Sequence, residues 1–398
     1  MNENNLLVLC NTFPDEQDKF IPGIYYKDQI RELSKYFDNV YTLIPAPLSI
    51  TKLRKIPLKD YYFQNVHVHF VKYVDFPPTY FYFRDFWVKW ETKKVLSFIQ
   101  ENNIKFNLIH AHNTWRSGTT AIELKKIFKV PVVLTEHTSN VLVDRWVNKH
   151  DVQYAETWNA CDAIIRVNSK DTYIFEQANV PRDRIYTIPN GFKNNLFFPS
   201  DTEISRVKLG LPRNKKILLS VGHLLPTKGY AYMIESLKQI VDEREDFHYF
   251  IVGSGKLRRD LEKQVSASRL QNFITFVGVK PHYEIPLWMN ACDIFVLPSI
   301  NEANPTVMFE ALACGKPFIG TRVGGVPEII VSDEYGLLAE PANPEQLAQK
   351  IAVALEKNWN RDKIRAYGEK FTWENIAMEI LKVYRASGLG SNIDNKKG

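Results

Sequence analysis

Short β-branched or aliphatic runs alternate with longer amphipathic segments from one end of this 398-residue chain to the other, and they do so in two successive series. That alternation predicts α/β architecture with parallel sheets, because a parallel connection needs a crossover helix, which then covers a sheet face. The first series contains LLVLC (6–10), YTLI (41–44), HVHFV (67–71), LIHAH (108–112), VVLTEH (132–137), AIIRVN (163–168) and YTIPN (186–190). The second contains KILLSVG (216–222), HYFIVGSG (248–255), ITFVG (274–278), IFVLPS (294–299), PFIGT (317–321) and GLLAEP (336–341). Between them, residues 191–216 carry Pro, Gly and Asn with little periodicity, which places a domain boundary near 195. Length alone allows two or three domains. Helices are expected over 230–243 and over 344–357, the latter with Asn343 as N-cap and Pro344 at N1.

Bulk charge names no partner. Fifty-one basic residues against 45 acidic leave a net charge of +6, too little for a dedicated nucleic-acid binder. Cys10, Cys161, Cys292 and Cys314 form no C-x-x-C pair, so neither a zinc cluster nor a disulfide framework is indicated and a reducing cytosol is the expected compartment. The N-terminus lacks a charged region leading into an apolar one, and no run of 18 apolar residues occurs, so neither export by a standard signal nor a membrane span is expected. One stretch departs from the average. Residues 61–90 hold 13 aromatics, and residues 51–94 carry nine basic against four acidic side chains. This is either an aromatic core helix with a solvated rim or an interfacial patch, with Trp and Tyr at headgroup depth and Lys and Arg facing anionic lipid.

The segment 299–330, SINEANPTVMFEALACGKPFIGTRVGGVPEII, follows the strand IFVLP and so lies at a strand's carboxyl end, where open α/β sheets bind ligands. Asn304 and Pro305 read as N-cap and N1 of a helix whose free N–H groups, including that of Thr306, would favour an anion. Glu302 stands in the loop before it, either as a ligand contact or as a carboxylate answering the helix dipole. Glu310 sits inside the helix among Val307, Met308, Phe309, Ala311, Leu312 and Ala313. It needs donors there, either ligand hydroxyls and backbone amides or a nearby Lys or Arg. In SVGHLLPTKGY (220–230), the order strand, Gly222, turn with Lys228 and Gly229, helix suits a diphosphate, although many such turns carry Gly and Lys. Gly253 and Gly255 of IVGSGKLR lack the third glycine of a dinucleotide fingerprint. His110, His112 and His137 end strands in the first half, as satisfied structural residues or substrate contacts. No Asp-x-Asp element occurs, which argues against a protein-held divalent cation on a diphosphate.

With these motifs in order, the chain resembles the retaining glycosyltransferases of the GT-B fold, glycosyltransferase family four. The resemblance rests on Gly23 in an N-terminal loop, TEHTS (135–139), IPNG (188–191), VGHLLPTKG (221–229), IVGSG (251–255) and FVG (276–278). It continues through LPS with Glu302, Glu310 and CGKP over 297–317, then GGVPEII (324–330) and GLL (336–338), and so covers nearly the whole chain. It implies two Rossmann-like, doubly wound domains facing a cleft. The first, 1–195, would take the acceptor and receive a returning helix within 371–388. The second, 196–370, would bind the nucleotide sugar, and 389–398 would be a disordered tail.

The resemblance further implies that Glu310 binds the donor ribose and that Glu302 contacts the transferred sugar or its phosphate. Lys228 would neutralise the diphosphate beside Gly222, His223 and Gly253. The loop at Gly23 would approach from the other domain, His137 would lie beside the sugar, and Val277 and Val279 would hold the base through backbone atoms. The implied reaction moves a hexose or N-acetylhexosamine from a UDP- or GDP-linked donor to a glycan or polyprenyl- or glycolipid-linked hydroxyl, without metal or other cofactor. A nucleotide-sugar epimerase of this fold and a non-catalytic nucleotide-sugar scaffold are the alternatives. Two departures stand out: His223 where the family usually has Arg, and Ala303-Asn304-Pro305 where it usually has Gly-aromatic-Gly. An anionic membrane surface meeting 51–94 is a further expected partner, which would make the protein peripheral on the cytoplasmic face.

Overall fold

Leu6 and Val8 face one apolar cluster while Leu7 and Leu9 face another, so strand β1 (Leu6–Leu9) is buried on both sides. That is the requirement for a parallel strand covered by helices on each face, and it explains why such strands read as unbroken apolar runs. A computed structural model describes residues 3–18, 22–49, 59–75, 83–138 and 149–389. The basic run 51–58, the aromatic run 76–82, Ser139 of the TEHTS motif and positions 390–398 of the tail lie outside the described residues.

The chain divides into two compact units, one running to Pro189 and resuming at Trp373, the other spanning Asn190–Thr372. The sequence reading sets these borders at 195 and 370. In the first unit β1 is joined by β2 (Val40–Pro47), β3 (Tyr61–Phe63), β4 (Val66–Tyr73), β5 (Leu108–His112), β6 (Val132–Glu136), β7 (Ala163–Arg166) and β8 (Ile185–Thr187). Their order is β3-β4-β2-β1-β5-β6-β7-β8, all parallel except the β3–β4 hairpin. In the second unit β9 (Lys216–Val221), β10 (Phe247–Val252), β11 (Ile274–Gly278), β12 (Ile294–Leu297), β13 (Phe318–Thr321) and β14 (Gly336–Ala339) are ordered β11-β10-β9-β12-β13-β14. Both sheets are doubly wound. The order reverses between β1 and β5 in one and between β9 and β12 in the other.

Every strand expected from the sequence is present with ends within three residues, and β3 is the addition. At three residues it is too short to show alternation, and Gln64, at φ 51°, closes its two-residue turn into β4. The helix Pro344–Glu356 starts as expected, with Asn343 accepting from Gln346 N at 2.9 Å and Pro344 in the first turn. The last helix, Trp373–Ala386, buries Trp373, Ile376, Ala377, Ile380, Leu381 and Tyr384 in the cluster that holds Leu6, Val8 and Ile30. Each large apolar side chain so buried contributes about 1.5–3 kcal/mol. Leu389, assigned to the tail by the sequence reading, belongs to the same buried cluster, and its N–H donates to Tyr384 O at 3.1 Å.

Tyr384 also fastens this helix to β5. Its hydroxyl lies 2.6 Å from His110 Nδ1, and His110 Nε2 lies 2.7 Å from Thr135 Oγ1. Burial pushes the His110 imidazole down to about 3. His112 is likewise held well below the usual histidine value, by burial first and then by His110 and His137. The unfolded chain takes up protons near pH 6.5 that the folded chain refuses. Stability is therefore complete above about pH 6.5 and falls as pH drops toward 3, by roughly 1.4 kcal/mol per pH unit for each such histidine. Urea midpoints at about pH 7, 6 and 5 should decline in that order, with a shallower slope in His110→Gln. A flat wild-type profile contradicts the assignment.

Candidate active site

The reversal of strand order between β9 and β12 sends the following helices to opposite faces and leaves a crevice at the strands' carboxyl ends. Two loops meet there. After β9 the chain makes a turn over Pro226–Lys228, then Gly229 at φ 65°, then the helix Tyr230–Val241. After β12 it runs through Pro298 and Ser299 to Glu302. The carbonyl of Thr227 accepts from Ile300 N at 2.9 Å and from Asn301 N at 3.2 Å, locking one loop to the other.

This lock sets Lys228 Nζ 2.5 Å from Glu302 Oε1, and the Ser299 hydroxyl donates to the same oxygen at 2.7 Å. Both charged side chains are mostly buried, with 21% and 10% of their surface exposed. Such a pair is charge-neutral until a ligand arrives. An ammonium and a carboxylate held this close can each turn to a ligand group of opposite charge or to a hydroxyl. Two glycines permit the approach. A Cβ on Gly229 would stand 1.9 Å from Pro298 O, and one on Gly253 would stand 2.0 Å from Gly222 O. The glycine pattern of these loops is thus explained by backbone against backbone.

Glu310 is buried in the helix Thr306–Ala313, and its Oε1 lies 3.2 Å from His282 Nε2. This partner is a histidine, in place of the Lys or Arg expected from sequence. Asn304 corrects a second expectation. The helix begins at Thr306 after an extended Pro305 (φ −72°, ψ 120°), and Asn304 does not cap it. Instead Asn304 Oδ1 accepts from Asn190 N and Asn304 O from Asn190 Nδ2, both at 2.8 Å. Its side chain is spent on holding the IPNG loop. His223 is exposed and Gly222 half-buried beside the pair, while Thr306 is half-buried at the helix start. On β11 the carbonyls of Phe276 and Gly278 are taken by Arg258 and by Gly253 N, Val277 packs against the core, and Val279 is exposed.

Tyr230 escaped the sequence reading. Its ring is core, yet its hydroxyl is buried with no hydrogen-bond partner among the described residues, beside Gly222. Burial, and then the Glu302 charge, push that phenol's pKa up. A lone Tyr after Lys-Gly carries no sequence signal that separates it from a core aromatic.

In the first unit the carboxyl ends of β1, β5 and β6 gather a second set. Gly23, at φ 82°, opens the helix Ile24–Leu33, whose Tyr26 ring lies 5.1 Å from His137. His137 Nε2 stands 3.0 Å from His112 Nδ1, and His137 N donates to Asn113 Oδ1 at 3.2 Å. Asn113 Nδ2 also donates to the Tyr26 hydroxyl at 2.9 Å. Next to His137, Glu136 is fully buried and accepts from Thr114 and Thr138 through backbone and hydroxyl alike. Asn113 follows LIHAH directly and was legible only as a strand-end position. Among the described residues no group of three His, Cys, Asp or Glu is placed to hold a metal ion.

The loop lock gives a paired test. Gly210 also has a positive φ, 66°, but a Cβ there meets nothing within 4 Å. Gly210→Ala should cost about 1 kcal/mol of unfolding free energy from backbone strain alone. Gly229→Ala should cost roughly 3 kcal/mol, because backbone must move. Equal losses in denaturant titrations would show that the close approach does not constrain the site.

Comparison with known proteins places this geometry. The model for glycosyl transferases group 1 matches residues 201–371, and that for Glycosyltransferase Family 4 matches 32–194. An uncharacterised glycosyltransferase of Methanocaldococcus jannaschii is 32% identical over 70% of this chain and 75% of its own. Sucrose-phosphate synthase from Thermosynechococcus elongatus superposes with a TM-score of 0.75 at 21% identity, covering 96% of this chain and 98% of that one. Anabaena HepE, solved in complex with UDP, gives 0.72 at 21% identity over 96% and 100%. The chain therefore belongs to glycosyltransferase family 4, and it is a glycosyltransferase of the GT-B fold.

Proposed function

We propose that this enzyme transfers a hexose or N-acetylhexosamine from a nucleotide diphosphate sugar, with UDP as the nucleotide, to a hydroxyl of a glycan or lipid-linked acceptor, with retention of configuration. The reading is carried by the Lys228–Glu302 pair at the β9–β12 switch point. Departure of a nucleoside diphosphate builds negative charge on the leaving oxygen. A partly desolvated ammonium fixed beside that position stabilises it more than water would. Glu302 then faces the sugar that becomes oxocarbenium-like, and the acceptor attacks on the face the diphosphate leaves. Glu310, buried and facing His282, retains a second carboxylate oxygen for ribose hydroxyls. The UDP bound in the Anabaena relative supports the choice of nucleotide.

In this reading Lys228→Ala weakens calorimetric UDP affinity by about 10–100-fold, the worth of a charge-assisted hydrogen bond. Unchanged affinity for both UDP and GDP removes the diphosphate role. Glu310→Gln lowers turnover at least tenfold with the unfolding midpoint retained. Incubation with donor alone separates the reaction classes: slow hydrolysis supports a transferase awaiting its acceptor, epimerised sugar an epimerase, and no product a scaffold.

The acceptor side includes a membrane surface. Tyr61, Phe70, Tyr73 and Trp87 of the aromatic stretch are buried, whereas Phe83 and Phe86 are 60% and 57% exposed. Phe86 stacks on Trp90 at 6.4 Å, the Lys94 ammonium lies 5.0 Å from the Trp90 ring centroid, and Lys89 is exposed on the same helix, Arg84–Glu101. Aromatic rings beside cations suit the headgroup layer of an anionic leaflet. No helix among the described residues is long and apolar enough to cross a membrane. Flotation with anionic vesicles at low salt should carry the protein upward, and Phe86→Ala with Lys89→Gln should reduce it severalfold. Absence of flotation dismisses the surface.

A further inference from the structure

The amino ends of β9 and β12, at the far end of the second sheet from Lys228 and Glu302, border a separate cavity of about 140 Å³. Lys216, Lys357 and Arg361 line it together with Asp293, Asn358 and Trp359. Three cations against one carboxylate leave this small space net positive, which favours an anion.

One acid, Asp293, shares the lining, and it is held chiefly by groups outside the cavity. Asp293 Oδ2 accepts from the buried Arg206 NH2 at 2.6 Å and from Ile217 N at 2.7 Å, with Arg361 3.7 Å from its other oxygen. Asp246 and Glu356 do not line the cavity and turn to Arg244, at 2.7 and 2.5 Å. Of the lining cations, Arg361 is partly answered by Asp293, and the remaining contacts are to neutral groups. Lys357 Nζ donates to Asp333 O at 2.6 Å, a neutral carbonyl, and Arg361 NH1 donates to Thr202 Oγ1 at 3.1 Å. Lys316, buried behind them on Asn290 O and Cys292 O at 2.8 Å each, has its pKa lowered to about 8 by burial first and in part by Arg361.

Size narrows the occupant. About 140 Å³ is the volume of roughly five waters and lies well below the ~300 Å³ at which cofactor pockets begin. Trp359 supplies a fixed wall: its Nε1 donates to Ala354 O at 2.9 Å, and Lys357 Nζ sits 4.4 Å from its ring centroid. We propose that the cavity formed by Lys216, Lys357, Arg361 and Trp359 binds a phosphate group, either inorganic phosphate or the terminus of a phosphomonoester whose organic part rests on the indole. This site is distinct from the donor loops and does not depend on the proposed reaction.

Isothermal titration of the full chain at low ionic strength, with inorganic phosphate and separately with glycerol phosphate, tests it. Saturable binding is expected, weakened at least threefold by Lys216→Gln and at least tenfold by Lys216→Gln with Arg361→Gln, as loss of charge-assisted hydrogen bonds requires. Lys228→Ala should leave it within about twofold. Tighter binding of the ester that is lost in Trp359→Leu assigns the phosphomonoester, and equal affinities assign free phosphate. No saturation by about 10 mM, unaltered binding in the double variant, or loss in Lys228→Ala overturns the proposal.

Discussion

The contact between the loop after β9 and the loop after β12 is the constraint on which the candidate site depends. It exists because neighbouring strands send their helices to opposite faces, so the two loops diverge everywhere except at their shared crevice. At that point Thr227 O receives two N–H groups from the other loop, Gly229 lies against Pro298, and Lys228 and Glu302 close across the top. None of these contacts is strong alone. Together they hold a cation and an anion within one hydrogen bond of each other with no ligand needed to order them. The proposed stabilisation of a leaving charge would draw on that preorganisation.

A second set of constraints operates at the strand ends of the first sheet, where buried charges are paired. Glu136 takes four donors from two threonines, and Arg166 spans Glu136 O at 2.7 Å and Asp171 at 2.9 Å. Glu91 accepts from the hydroxyls of Tyr73 and Thr120 at 2.7 and 3.1 Å. Leaving any of these charges unpaired would cost several kcal/mol. The polar groups therefore fix one arrangement of the strand ends that carry Asn113 and His137, while the apolar clusters merely require that the strands be covered.

The fold was legible because parallel strands buried on both faces leave continuous apolar runs such as IFVL and AIIR, which the eye finds without knowing any contact. The hairpin strand Tyr61–Phe63 was not, since three residues at a sheet edge carry no periodicity. At the site, Glu302, Glu310 and Lys228 stood out because charge in a strand-end loop or an apolar helix is conspicuous. Their partners did not. His282 lies 28 residues before Glu310, and the role of Asn304 depends on Asn190, 114 residues earlier. Asn-Pro before a helix reads as cap and first turn, but an extended Pro305 shifts the start by one residue and frees Asn304 for another task. Burial of the Tyr230 hydroxyl is a three-dimensional fact with no counterpart in the local sequence.

The chain enters the second unit at Asn190 and leaves it at Thr372, and the two crossings run side by side: Phe192 bridges Thr372 and Phe192 N bonds Phe371 O at 3.0 Å. The second unit is thus topologically an insertion with adjoining ends. During synthesis this inverts the order of completion. Residues 6–189 emerge first, yet their core lacks Trp373, Ile376, Ile380, Leu381 and Tyr384 until the last helix leaves the ribosome, so His110 waits for its tyrosine partner. The second unit, wholly contiguous, has every strand and helix it needs before Trp373 is made. The unit made first is the unit finished last, and its exposed helix-binding face is what nascent-chain chaperones would meet in the interval.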